Sequence, residues 1–175
     1  MKKYIQIYED FLDDKIQKTE TADIQELKDN INAFKSKKGN LERLILSNIN
    51  TDKDISRNID QIIDNNKYLK MYLSILNIQK SLKKNEDKVT LYKKQIDDKN
   101  TELRDLNNEK VSVDSKQAII DDIKTEIQKY NDSIKQTFED NKKLQIEAQK
   151  LEAEVMNILK ADEEKCKQIS KNNTN

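Results

Sequence analysis

The stretch YLKMYLSILNI, Tyr68 to Ile78, decides how this chain folds. It places apolar side chains all round a helix, in a chain that is only 34% hydrophobic and 38% charged. Two heptad patterns meet there. One ends in Leu69, Leu73 and Leu76; the other begins with Tyr68, Met71 and Ile75. The second is displaced from the first by two residues, which is about 200° round a helix of ~3.6 residues per turn. A helix with seams on nearly opposite faces has to be covered on both sides.

Toward the N-terminus, the first pattern runs back in a single register to Ile24. Its d positions are Leu27, Phe34, Leu41, Asn48, Ile55, Ile62, Leu69 and Leu76; its a positions are Ile24, Ile31, Lys38, Ile45, Asp52, Ile59, Asn66 and Leu73. From Lys38 onward every second a position is polar. In a parallel homodimer Asp52 would face its own copy, and an antiparallel pair centred there would do the same; like charges in a poorly solvated seam repel. The seam over residues 24–76 is therefore expected to meet a different helix. That helix is either residues 1–50 of this chain or another coiled-coil protein in a heteromeric complex. The expected contact residues are Ile45, Ile55, Ile59, Ile62, Leu69, Leu73 and Leu76. Gly39 in SKKGN is a candidate break, and Thr51 with Asp54 fits a capping box. Ahead of the seam, Ile5, Tyr8, Leu12 and Ile16 predict a short amphipathic helix over 1–20, ended by QKTETAD, with Asp23 and Glu26 capping the next.

Toward the C-terminus, Tyr68, Met71, Ile75, Ile78, Leu82, Val89, Tyr92, Ile96, Leu103 and Leu106 form a second seam. A third follows in Ile120, Ile123, Ile127, Tyr130, Ile134, Leu144, Ala148, Leu151, Val155 and Ile158. Between them NNEKVSVDSKQ, residues 107–117, offers paired Asn, two β-branched valines and a capping signal in Asp114 and Gln117, so it reads as a turn. Folding back about Val113 sets the two seams layer against layer, with Asn85 opposite Asn141. Lys99 falls against Ile127, a place from which Lys can snorkel. The prediction is an all-α, elongated coiled coil. Its main element is a long antiparallel helical hairpin over 66–160, preceded by N-terminal helices. The hairpin core would be Tyr68, Met71, Ile75, Leu82, Asn85, Ile96, Leu103, Ile123, Tyr130, Asn141, Leu144, Leu151 and Val155. The competing arrangement is an extended rod that dimerises in parallel, placing Lys99, Lys110 and Asn141 opposite themselves. Residues 161–175 read as a polar tail in which Cys166 is a surface thiol.

The composition bounds the chemistry. The chain has 175 residues, no His, no Pro, no Trp and one Gly. With His absent, the commonest general base and metal ligand is missing. A single glycine cannot build a phosphate-cradling loop. Acidic pairs such as Asp13 with Asp14, Asp97 with Asp98, and Asp121 with Asp122 are flanked by Lys and read as solvated helix faces. No enzyme activity, cofactor, metal site or small-molecule substrate is expected. The 33 basic and 33 acidic residues alternate along the chain, and Arg is confined to Arg43, Arg57 and Arg104, so no nucleic-acid footprint is expected. No run approaches the ~20 apolar residues of a membrane span. The expected location is cytoplasmic or nuclear.

These readings point to a structural coiled-coil subunit, a scaffold or adaptor in a cytoskeletal, ciliary, chromosome-segregation or vesicle-tethering assembly. Two other readings stand beside it. The seam from Ile24 to Leu76 is similar to a SNARE motif in length and in its central polar layer at Asp52. That resemblance would imply a membrane-fusion helix, although Asp52 replaces the Gln or Arg of the family and a further coiled-coil region follows where a membrane anchor would be. The third reading is a filament or particle component that self-associates through the second and third seams.

Overall fold

A computed structural model describes the backbone of residues 2–47, 55–108 and 113–172, and the side chains of 22–47, 58–108 and 116–171. The fold is all-α. Among the described residues four helices follow one another: α1 (Lys2–Ser47), α2 (Ile55–Ile63), α3 (Lys67–Asn108) and α4 (Val113–Asn172). Every described residue outside 64–66 is helical. The chain divides into two compact units, one of Met1–Leu76 with Lys150–Asn175 and one of Asn77–Gln149.

In the first unit, α1 turns Ile24, Ile31, Phe34, Leu41 and Ile45 into the core. Their spacing of three, four and seven residues is that of one helix face. α1 is continuous where the sequence predicts two interruptions. It runs unbroken through QKTETAD, so the separate helix over 1–20 is corrected to the first part of a longer one. Threonine inside a helix costs only a fraction of a kcal/mol, at most ~0.7, and Ile24 and Ile31 are buried directly beyond the segment. It also runs through Gly39. A mid-helix glycine costs about 1 kcal/mol, whereas burying a side chain such as Leu41 or Ile45 stabilises by roughly 1.5–3 kcal/mol each. Packing therefore outweighs propensity at this position. The proposed cap of Thr51 and Asp54 lies outside the described residues.

α2 is short and amphipathic, with Ile63 buried and Ile59 and Ile62 partly buried against the same core. It ends because Asp64 adopts a left-handed backbone with φ of 51°, a conformation that Asp tolerates better than most residues. The Asp64 N–H donates to the Asp60 carbonyl at 3.2 Å, and the Asn66 N–H to the Ile63 carbonyl at 3.0 Å. Asn66 then opens α3. Its side-chain Oδ1 accepts the N–H of Leu69, the third helical residue, at 3.0 Å, which is N-cap geometry. The heptad seam predicted over 24–76 is thus not one helix. It is cut at Asp64–Asn66, and Asn66 is a buried cap, not a polar position facing a partner helix.

α3 begins with Tyr68, Leu69, Ile75 and Leu76, all essentially inaccessible to solvent. Val155 and Leu159 of α4 complete the core around them. α4 does not stop near residue 160. It continues to Asn172, with Asp162 buried and Cys166 half-buried against the core. The polar tail predicted over 161–175 is corrected to helix as far as Asn172. Its inward residues are mostly polar, Asp162 and Glu163 with Cys166, and only Ile169 adds to the apolar spacing.

In the second unit, α3 and α4 pack side by side. Asn85 meets Asn141, Tyr92 stacks on Tyr130 with ring centroids 5.9 Å apart, and Lys99 pairs with Glu126 at 2.9 Å. Positions rise on one helix as they fall on the other, so the two run in opposite directions. Ile78, Val89, Ile123 and Ala148 are the buried apolar residues of this unit. Residues 109–112, in the segment that reads as a turn, lie outside the described residues.

Candidate functional site

The residues expected to meet a partner helix lie together in the first unit. Ile45, Leu69 and Leu76 are at most 1% exposed. Ile59, Ile62 and Leu73 are partly buried against the same cluster. The side chain of Ile55 lies outside the described residues. What covers this face is the chain's own Phe34, Leu41, Tyr68, Ile75, Val155 and Leu159. As a free docking surface for a foreign helix the face is therefore corrected: the chain break at 64–66 lets the first seam fold onto itself, and α4 supplies the rest.

The residues expected in the hairpin core divide between the units. Tyr68, Ile75 and Val155 are buried in the first, where Met71 and Leu151 are partly buried. Ile123 is buried in the second, and Leu82, Asn85, Ile96, Leu103, Tyr130, Asn141 and Leu144 are half-buried there. Asn85 Nδ2 donates to Asn141 Oδ1 at 2.7 Å. A two-helix interface leaves most of its layers partly open to water, and this amide pair sits in one of them. Lys99 reaches out of the interface to Glu126 at 2.9 Å and Glu102 at 3.0 Å. These two hydrogen bonds, the one to Glu126 first, hold the ammonium above its usual range, and Lys99 in turn lowers Glu126.

A polar cluster that periodicity does not reveal lies in the first unit. Asp162 is 4% exposed. The Tyr68 hydroxyl donates to its Oδ2, Lys67 Nζ lies 2.8 Å from the same oxygen, and Lys165 Nζ lies 3.7 Å from Oδ1. Lys67 Nζ also sits 5.0 Å above the Tyr68 ring. Phe34 packs against the same ring, tilted at 60° with the centroids 5.7 Å apart. Burial pushes the Asp162 carboxyl up, and the hydrogen bonds from Lys67 and Tyr68 together outweigh it, so the net shift is downward. The Tyr68 hydroxyl is held protonated well above the usual phenol range, by burial first and then by its bond to Asp162. Next to this, Lys35 of α1 bonds Glu163 at 2.6 Å.

A second tyrosine, one turn further along α3, repeats the pattern. The Tyr72 hydroxyl donates to Glu42 of α1, and Lys38 Nζ lies 5.1 Å above its ring. Burial and the Glu42 carboxylate raise this phenol as well. A cavity of about 250 Å³ opens beside it, lined by Phe34, Lys38, Tyr72, Ile75, Glu152, Val155 and Met156.

These side chains tie helices together. The bonds of Tyr68 and Lys67 to Asp162, of Tyr72 to Glu42 and of Lys35 to Glu163 each run from one helix to another, and together they fix which turns face one another. Among the described residues no three His, Cys, Asp or Glu side chains are grouped to hold a metal ion. No described helix is long and apolar enough to cross a membrane. Sequence reasoning missed both: Asp162 falls in the stretch that reads as a polar tail, and Lys67 belongs to none of the apolar seams. Asn66 had a signal: DNN, residues 64–66, is a turn-and-cap sequence. Comparison with protein-family models, curated proteins and solved structures finds no match for this chain.

Proposed function

We propose that this protein is a non-enzymatic structural subunit, a helical scaffold or adaptor that joins other coiled-coil proteins in a larger assembly. The observation that carries the reading is the α3–α4 pair of the second unit. Its contacts at Asn85–Asn141, Tyr92–Tyr130 and Lys99–Glu126 support an antiparallel coiled-coil hairpin over residues 66–160. Such a pair offers length and two charged outer faces and needs no reacting group. The 32 residues from Asn77 to Asn108 would alone span about 48 Å at ~1.5 Å per residue.

Two measurements test this. With Cys166 changed to Ser, cysteines placed at positions 85 and 141 should crosslink within one chain, at a yield independent of protein concentration. Crosslinks only between chains would overturn the hairpin and put the self-associating rod in its place. In lysate from its native cell, the tagged chain should sediment with a mass several times its own 20.6 kDa. Sedimentation as a free 20.6 kDa chain would overturn the scaffold reading.

A further inference from the structure

Heptad seams have a weakness: sliding one helix by seven residues sets apolar layers against apolar layers again. Leu, Ile and Val exchange places at little cost when volume is kept, so apolar layers by themselves barely choose between alignments. Two polar layers distinguish them here. We propose that Asn85–Asn141 in the second unit and Tyr68–Asp162 with Lys67 in the first are a double register lock that permits a single alignment of α4 on α3. The inference rests on the antiparallel pairing proposed above.

The consequences of a slip can be followed residue by residue. In one direction Asn85 meets Ala148, Asn141 meets Tyr92, and Asp162 is carried off Tyr68 to Ile75, a residue with no solvent exposure. A carboxylate that is now paired with Lys67 and the Tyr68 hydroxyl would be left buried without a partner, the costliest outcome for a charge. In the other direction Asn85 meets Ile134, Asn141 meets Ile78, and Asp162 passes beyond the cap of α3 at Asn66. Tyr68 would then face Val155 with its hydroxyl unpaired. Each slip breaks both layers at once, and an amide pair opposite an alkyl side chain loses its only partner. The native alignment is the one in which Asn85, Asn141, Tyr68 and Asp162 all find their partners. Buried polar groups placed this way specify register at some expense in stability.

The test reads register directly. In a Cys166→Ser chain, cysteine pairs are placed at 82 with 144 for the native alignment, and at 82 with 151 or 82 with 137 for the two slips. With both layers intact, only the 82–144 pair should crosslink within a chain. With Asn85→Leu, Asn141→Leu, Tyr68→Phe and Asp162→Leu combined, crosslinking of a slipped pair should rise on the order of tenfold or more. If the four-fold variant crosslinks only at 82–144, the lock is overturned. Should that variant not fold, relocating the amide layer gives the same decision: Asn85→Leu with Tyr92→Asn, together with Tyr68→Phe and Asp162→Leu, should move the crosslink to 82–151. Persistence at 82–144 would overturn the proposal. Failure of the 82–144 pair to crosslink within the otherwise unaltered chain would instead sink the antiparallel pairing itself.

Discussion

The side-chain Nδ2 of Asn66 donates to the backbone carbonyl of Asn30 at 2.5 Å while its Oδ1 caps α3. One buried amide thus ends the α2–α3 break and anchors it to α1. Asn66→Ala removes both bonds and should destabilise the protein by about 1–3 kcal/mol. Asn66→Asp keeps the cap but turns a donor into a carboxylate facing the Asn30 carbonyl, so it should also be destabilised. Denaturant midpoints at constant slope would check both; a neutral Asn66→Ala would show that the cap is dispensable.

The left-handed residue two positions earlier makes a separate prediction. Asp64→Gly relieves the backbone at φ of 51° and should be neutral or stabilising by up to ~1 kcal/mol, and Asp64→Val should destabilise by about 1–2 kcal/mol. The side chain is little reason to keep Asp, since its contact with Lys37 is 3.9 Å long and the carboxylate is 75% exposed. Thermal unfolding should place Asp64→Val below the wild type and Asp64→Gly level with it or above; a Gly variant less stable than the wild type would contradict the strained backbone.

Gly39 is open to improvement. A Cβ added there meets nothing within 4 Å, and the backbone is helical. Gly39→Ala should therefore raise stability by about 0.5–1 kcal/mol. A loss of stability on thermal unfolding would mean that this turn of α1 is not helical in solution.

Acid and alkali should act on different residues. The carboxyl of Asp162 is lowered in the folded chain, so its contribution is present above the ordinary Asp value of ~3.9 and is lost as pH falls through the lowered folded value. The stability difference between the wild type and Asp162→Asn should therefore shrink on acidification. Tyr68 and Tyr72 are raised instead. Their contribution is intact below the ordinary phenol value of ~10 and lost as pH climbs beyond it. Absorbance titration should show Tyr68 and Tyr72 ionising later than a free phenol, a late component that Tyr68→Phe and Tyr72→Phe remove; its absence would contradict the buried hydroxyl bonds.

What the sequence disclosed and what it hid follow from the same physics. Apolar spacing exposed the all-α class and placed Asn85 across from Asn141, because leucine and isoleucine at heptad intervals can be counted. It also flagged Tyr68 to Ile78 as covered on two sides, and Tyr68, Leu69, Ile75 and Leu76 are buried. Counting failed where a polar residue has an inward task. By spacing alone Asn66 is one more polar heptad position, although it caps α3 where the helix direction changes. Asp162 falls in the stretch that reads as a polar tail, because nothing local reveals that Lys67 and Tyr68, far away in sequence, come to meet it. Local signals also overstated the breaks in α1: QKTETAD and Gly39 lower helix propensity by amounts that the burial of Ile31, Leu41 and Ile45 overrides.

The first unit draws on Met1–Leu76 and Lys150–Asn175, and this has a consequence for how the chain is made. On the ribosome, Tyr68, Leu69, Ile75 and Leu76 emerge long before Val155, Leu159 and Asp162, which they need for cover. The intervening segment, Asn77–Gln149, has all its own contacts available first and can form while the earlier residues wait. During that interval the nascent chain shows an apolar face to the cell. A ribosome stalled between residues 76 and 150 would release a product whose second unit is not yet closed and whose first lacks the cover that Val155 and Leu159 supply.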